Sequence, residues 1–291
     1  MDTKQDAIIS EVESKGVATR TIEELTDDFY HSRSEWSVSQ LKLLPEQPEL
    51  FWGRHIAKLP DYQLTPSPSM RLGTVVHEAL LQGIEPRIIP RDVLSKSGSR
   101  AGSAWQAFAA EHGDEIWLRE SEAEPILRCL DSVRANKKAM ALLELPGDNE
   151  LAVFWRDEST GLPLRGRLDK LIRVGNGMVL DLKTAADPTE RGFPFACLDL
   201  KYHVQAAAYA EAAESLLGTT PEAFLFIAVQ VSAPYICQVY ACTPEMLNLG
   251  FTRLREAIQD LHARLATGDW HREGHGTVNL LDLPRKAYQW N

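Results

Sequence analysis

The sequence predicts an α/β (α+β) protein with a mixed central β-sheet flanked by helices. Three observations carry that prediction. Strand-like runs gather in the middle of the chain, at 150–156, 164–174 and 178–184, with two more at 223–232 and 235–242. Helical patterns lie before, between and after them. Gly175-Asn176-Gly177 joins the second and third runs as a tight hairpin.

Residues 1–30 are polar and acidic and read as a separate N-terminal segment, a short helix or a loose arm. A single domain is expected over 31–291. Ser37 and Ser39 are good caps for a short helix around 38–44. Residues 59–69 form a Pro/Ser loop. In RLGTVVHEALLQG, Val76, Leu80 and Leu81 follow helical spacing and Gly83 ends the helix. An extended loop is expected over 84–102 and mostly helix over 103–145. Beyond the hairpin, YHVQAAAYAEAAESLLG (202–218) reads as a helix ending in glycine, and 244–267 as a long amphipathic helix.

Composition bounds the function. The 291 residues are 44% hydrophobic and 25% charged, ordinary for a globular chain. No apolar run is long enough to span a bilayer, and the first residues lack a secretory pattern, so a cytoplasmic protein is expected. Cys129, Cys197, Cys237 and Cys242 form no C-x-x-C pair, which argues against a zinc or iron–sulfur site. The net charge of −10 taken alone speaks against a nucleic-acid partner. Its distribution changes that reading. Residues 1–30 carry −5 and residues 111–124 another −5, so the remainder is neutral. The segment 163–173 is locally +3, with four basic residues and one acid. A basic lining confined to one face is expected there.

The chemistry concentrates in the hairpin GRLDKLIRVGNGMVLDLKT. Asp169 lies on one strand; Asp181 and Lys183 lie two apart on the next and therefore share a face. Leu182 points to the other. Charges on a strand flanked by Val179 and Leu180 need partners. Two carboxylates on adjacent strands can hold a hard divalent cation, and Lys183 beside them can stabilise charge on a phosphate or orient a water. A solvated Asp–Lys pair is the plain alternative.

The stretch resembles the PD-(D/E)xK nuclease superfamily, and more narrowly the RecE-type exonucleases, related to RecB-type nuclease domains and lambda exonuclease. The motifs occur in the family's order: SVSQLK (37–42), LGTVVHEALL (72–81), GRLD (166–169), DLKT (181–184) and QAAAY (205–209), with a closing LP at 283–284. The resemblance implies a restriction-endonuclease-like PD-(D/E)xK core. It implies metal ligation by His77, Asp169, Asp181 and the Leu182 carbonyl, with Mg²⁺, or Mn²⁺ in its place, as one or two ions. It makes Lys183 the residue that positions or activates water. Gln205 and Tyr209, at i and i+4, share one helical face and reach the site together. Glu150 stands where related nucleases often carry a helpful acid, or is a solvated strand-end charge. Arg165 and Arg167 flank the proposed site, and with Ser37 and Ser39 are candidate DNA contacts.

The activity so implied is 5′-to-3′ digestion of linear double-stranded DNA, leaving 3′ single-stranded tails. The implied partners are duplex ends, further copies of the chain in a ring (a trimer or tetramer) and a single-strand annealing protein, with no membrane. Alternatives are a RecB-like nuclease of other polarity, an endonuclease, and a non-catalytic DNA-binding scaffold of the same fold.

Overall fold

In the computed structural model, residues 3–21, 24–65, 67–113, 115–278 and 280–282 are described. The LP pair at 283–284 lies outside them.

The central sheet has seven strands: β1 (Val17–Arg20), β2 (Trp36–Ser37), β5 (Gly147–Arg156), β6 (Pro163–Ile172), β7 (Met178–Thr184), β8 (Ala223–Val229) and β9 (Cys237–Ala241). Their order is β1-β5-β6-β7-β8-β9, with β2 pairing β6. The sheet is mostly antiparallel; β7 with β8 and β2 with β6 run parallel. A short parallel pair, β3 (Arg87–Ile88) and β4 (Trp117–Leu118), stands apart from it.

The helices cover both faces. They are α1 (Thr3–Lys15), α2 (Asp27–Ser32), α3 (Val38–Leu43), α4 (Pro48–Phe51), α5 (Pro68–His77) and α6 (Ser103–His112). After them come α7 (Glu120–Ala135), α8 (Lys137–Leu143), α9 (Phe193–Asp199), α10 (Tyr202–Leu217) and α11 (Pro244–Thr267). β8 shows why two layers form. Phe224, Phe226 and Ala228 enter one core with α3, α10 and α11, while Leu225, Ile227 and Val229 enter the other with α5 and α7. An all-apolar strand of this kind is what a sheet buried on both faces requires.

α10 sits tight between sheet and α11 because its contact surface is small. Ala206, Ala207, Ala208, Ala212 and Ala213 are all fully buried. Gly250 of α11 lies against it; a Cβ there would fall 2.1 Å from the His203 carbonyl oxygen. This close packing fixes the helix that carries Gln205 and Tyr209.

The acidic N-terminus is built into the sheet rather than hanging loose. Ile8 and Val12, at i and i+4 on α1, are buried with Ala152 and Phe154 of β5. β1 then pairs antiparallel with β5 as the edge strand. Ile8, Val12, Ala18, Leu25 and Tyr30, scattered among the eight acids of residues 1–30, are too sparse a pattern to announce this docking. Within 84–102, where a loop is expected, the chain forms β3 and a single short 3₁₀ turn. Among the described residues no helix is long and apolar enough to cross a membrane, and all four cysteines are free thiols.

Candidate active site

The site grows from a fork in the sheet. β6 and β7 pair only through Lys170–Leu180, Leu171–Val179 and Ile172–Met178. Beyond that step the strands diverge, β6 staying with β5 and β7 with β8. Asp169 and Asp181 are the first residues past the fork on either side. The Leu182 N–H, released from the ladder, donates to Asp169 Oδ2 at 2.7 Å. One carboxylate oxygen thus closes the gap the fork opens. The Leu182 side chain is buried in the opposite core, as the alternation requires.

His77, the last residue of α5, meets this point. Its Nδ1 lies 3.5 Å from Asp169 Oδ2 and 3.9 Å from Glu150 Oε1. Gly73 of α5 faces the end of β7 closely: a Cβ there would stand 3.3 Å from Thr184 Oγ1. Glu150 faces Asp169 across β5–β6, where the ladder skips a step. Its φ of +49° departs from strand geometry in a conformation that side-chain-bearing residues seldom adopt. Such departures cost on the order of 1–3 kcal/mol and gather at functional sites. His77, Glu150 and Asp169 each bring a ligand atom within 4.8 Å of the other two. Glu150 therefore stands with His77 and Asp169 in one cluster of potential ligand atoms. Arg167 Nε, 3.1 Å from Glu150 Oε2, holds its other oxygen.

On the other side of the fork, Asp181 is fully buried and ion-paired to Lys183. Gln205 Nε2 donates to Asp181 Oδ1 at 3.1 Å, and Lys42 Nζ donates to Gln205 Oε1 at 3.4 Å. Lys42 thereby fixes which end of the amide faces Asp181. Lys42 and Lys183 both lie over the Tyr202 ring, at 5.4 and 4.9 Å. Tyr209, one turn beyond Gln205, is buried against Gly166, where a Cβ would stand 2.8 Å from its ring. The glycine of GRLD and the tyrosine of QAAAY are thus one contact.

The electrostatics follow from burial and crowding. Burial raises the Asp181 pKa, and Asp169 adds to the rise while Lys183 opposes it. Burial works against a charged His77, yet Asp169 and Glu150 beside it lift its pKa above the ordinary histidine value. Burial also opposes the Lys183 ammonium, but Asp181 and Asp169 outweigh it and raise that pKa. Lys42, with no carboxylate in direct contact, is pushed down to about 8 by burial and by Lys183. Burial holds Tyr209 far above the usual phenol range, so its hydroxyl keeps its proton.

A cleft beside the fork is lined by Ser37, Ser39, Lys42, His55, Arg165 and Lys201, among others. Arg165 is buried, lies over the Tyr30 ring at 4.7 Å, and has Nε and Nη1 without a hydrogen-bond partner. Arg167 lies over the same ring at 5.3 Å. Arg165, Arg167 and Asp169 alternate along β6 and so share its face. Ser37 caps α3: its Oγ accepts from Gln40 N at 3.3 Å, while its own N–H donates to Gln40 Oε1 at 2.7 Å. The cap predicted from sequence is present, and it uses one acceptor site of the Ser37 hydroxyl.

The fork therefore assembles His77, Glu150, Asp169, Asp181, Lys183, Gln205 and Tyr209 from five elements. Lys42 and Tyr202 join them unforeseen. Lys42 stands in SVSQLK, but nothing in that motif shows that its amine meets a residue 163 positions later. The donor set suits a hard divalent cation: carboxylate oxygens with one imidazole.

A protein family described as a PDDEXK-like domain of unknown function matches residues 37–279. The chain belongs to this family. Among solved structures it resembles a "Putative exonuclease" from Eubacterium rectale, with TM-score 0.59 and 15% identity over 91% of this chain and 97% of that one. At that identity the likeness speaks for the fold. A phage-related exonuclease from Haemophilus somnus aligns at TM-score 0.33 and 10% identity, over 82% of this chain and 99% of that one. No curated protein matches the sequence.

Proposed function

We propose that this chain is a metal-dependent nuclease of RecE type, which hydrolyses linear double-stranded DNA from an end, 5′ to 3′, and leaves 3′ single-stranded tails. The observation that carries this reading is the convergence of His77, Glu150, Asp169, Asp181 and Lys183 on one fork of the sheet. The family to which the chain belongs, and the exonuclease named among its structural neighbours, support it.

His77, Glu150 and Asp169, with Asp181 and the Leu182 carbonyl, are the residues that would hold Mg²⁺ or Mn²⁺, as one or two ions. Bound there, the cation supplies Lewis-acid stabilisation of phosphoryl oxygens. The chain's own residues do the rest. Lys183, kept protonated by the carboxylates around it, cannot accept a proton; it donates hydrogen bonds that orient the attacking water or the scissile phosphate. Gln205, held by Lys42, keeps the Asp181 carboxylate aimed. Arg165, which lines the cleft and has two covered donors without a partner, is suited to a phosphate. In this reading several copies form a ring around the duplex in the cytoplasm, and an annealing protein takes the 3′ tail.

The test is digestion of linear duplex DNA labelled at the 5′ or the 3′ end, with Mg²⁺ and with chelator. Release from 5′ ends only in Mg²⁺ supports the reading. Release from 3′ ends favours a nuclease of the other polarity. Cleavage of closed circles favours an endonuclease. No cleavage with any of these substrates and ions contradicts a nuclease altogether.

A further inference from the structure

A second group of metal-ligating side chains lies away from the fork. Glu49 of α4, His271 and His275 each place a ligand atom within 4.8 Å of the other two. The chain reaches this arrangement through a series of locks. α11 ends at Gly268, which adopts a left-handed conformation. Arg264 Nη1 then donates to the Asp269 and His271 carbonyls at 3.1 and 3.0 Å, and His271 N donates to Asp269 Oδ1 at 3.0 Å. Trp270 stacks on the buried Phe51 of α4, with centroids 5.6 Å apart and planes 11° from parallel. A turn closed by His275 N donating to the Arg272 carbonyl at 3.1 Å brings the two imidazoles together. Their rings lie 3.8 Å apart and within 3° of parallel.

Glu49 provides the independent sign of a ligand. Arg272 donates to Glu49 Oε1 twice, from N at 3.0 Å and from Nε at 3.2 Å. Glu49 Oε2 receives nothing. The side chain is 33% exposed, yet this oxygen is covered and has no hydrogen-bond partner. A covered carboxylate oxygen without a donor is costly. The Arg272 backbone N–H holds the Glu49 pKa down to about 2, so the group is charged at neutral pH. A charged carboxylate with one oxygen unpartnered, grouped with two imidazoles, has the composition of a cation site.

We propose that Glu49, His271 and His275 form a second cation site, for a borderline transition ion such as Zn²⁺, Co²⁺ or Ni²⁺. Two nitrogens and one oxygen suit such ions; Mg²⁺ prefers an all-oxygen set. Bonds of about 2.0–2.2 Å require the three donors to draw in by roughly an ångström. Parallel planes 3.8 Å apart cannot both contain one ion, so binding turns at least one imidazole out of the stack. Three ligands leave a fourth position for water. Bound, the ion ties the segment after α11 to α4, whose Phe51 also packs on Trp36 and His55. The site is a clip between the C-terminal segment and the helices that frame the cleft.

The test uses the full-length chain without a histidine tag, stripped of metal and kept in excess Mg²⁺ so that the fork is occupied. Co²⁺ is titrated and followed by calorimetry and visible absorption. One Co²⁺ per chain is expected in the wild type and equally in His77→Ala. His271→Ala with His275→Ala should abolish that binding, and Glu49→Gln should weaken it at least about tenfold. Zn²⁺ should raise the Tm of the wild type by roughly 5 °C and leave the double variant unmoved. The double-histidine variant should match the wild-type Tm without metal, because the imidazoles serve no core. Full binding in the double variant, or no Co²⁺ bound by the wild type, overturns the proposal. Neither outcome depends on whether the fork cleaves DNA, because binding is read directly.

Discussion

The two histidine–carboxylate clusters of this molecule differ in how the fold holds them. At the fork, His77, Glu150 and Asp169 come from three elements of the central architecture, and each carboxylate is fixed by a second group: Leu182 N–H on Asp169 and Arg167 on Glu150. At the surface, Glu49, His271 and His275 are held by one turn, one stacked tryptophan and two arginines, Arg264 on the His271 carbonyl and Arg272 on Glu49. Burial at the fork makes every charge expensive and so couples it to its neighbours. Exposure at the turn leaves each residue nearly independent. Perturbing the fork should therefore cost activity and pH behaviour together, whereas perturbing the turn should cost only cation binding.

The largest expected effect is on cleavage. Lys183→Ala and Asp181→Ala should each lower the cleavage rate on the order of 10²–10⁴-fold, with unchanged secondary structure by circular dichroism. Gln205→Ala should fall less, and Lys42→Met in that background should add almost nothing, because Lys42 acts through the amide. Additive losses in this double-mutant cycle would show that Lys42 meets DNA instead.

Next comes stability. Gly166→Ala places a methyl 2.8 Å from the Tyr209 ring. The expected cost is about 1–3 kcal/mol in chemical denaturation, and Tyr209→Ala introduced with it should recover part of that overpacking. A full-cost double variant would sever the link between the two motifs.

The pH dependence distinguishes buried from exposed clusters by sign. The folded pKa values of Asp181 and His77 are raised, so both groups favour the metal-free fold below their unfolded values, and that contribution is lost as pH rises through the folded ones. Cation binding needs both deprotonated. Stabilisation by Mn²⁺ should thus grow between about pH 6 and 8 while metal-free stability declines. A Mn²⁺-induced Tm shift that is flat over this range would contradict the assignment.

The smallest effect concerns DNA engagement. Arg165→Ala should reduce the slope of log affinity against log salt by about 1, reflecting one phosphate contact. An unchanged slope would place Arg165 in structure alone, over Tyr30.

Sequence periodicity made much of the fork legible. Alternation alone puts Asp181 and Lys183 on one face and Leu182 on the other, and i, i+4 spacing aligns Gln205 with Tyr209. The hairpin at Gly175-Asn176-Gly177 and the long helix over 244–267 follow from local rules that the fold respects. What was hidden depends on distant register. That β6 and β7 separate at Lys170 is a property of how β5, β6, β7 and β8 share partners, not of the hairpin. Glu150 enters the ligand group through an irregular backbone step that no propensity indicates. β1 adds an edge to the sheet with only a few scattered apolar residues, Ile8, Val12, Ala18 and Leu25, buried in an acidic segment. Glu49 and the turn that carries His271 and His275 lie more than two hundred positions apart, and the packing of Trp270 on Phe51 and the Arg272–Glu49 pair join them.

The net charge of −10 is compatible with this account, because the basic excess of 163–173 belongs to the strand that carries Arg165, Arg167 and Asp169.

The most direct measurement is Mn²⁺-dependent release of nucleotides from linear duplex DNA by the wild type, compared with Lys183→Ala at equal Mn²⁺ occupancy. The account predicts that the variant binds metal and DNA but cleaves on the order of 10²-fold more slowly or worse. Wild-type cleavage by a metal-loaded Lys183→Ala chain would contradict the fork as the hydrolytic centre.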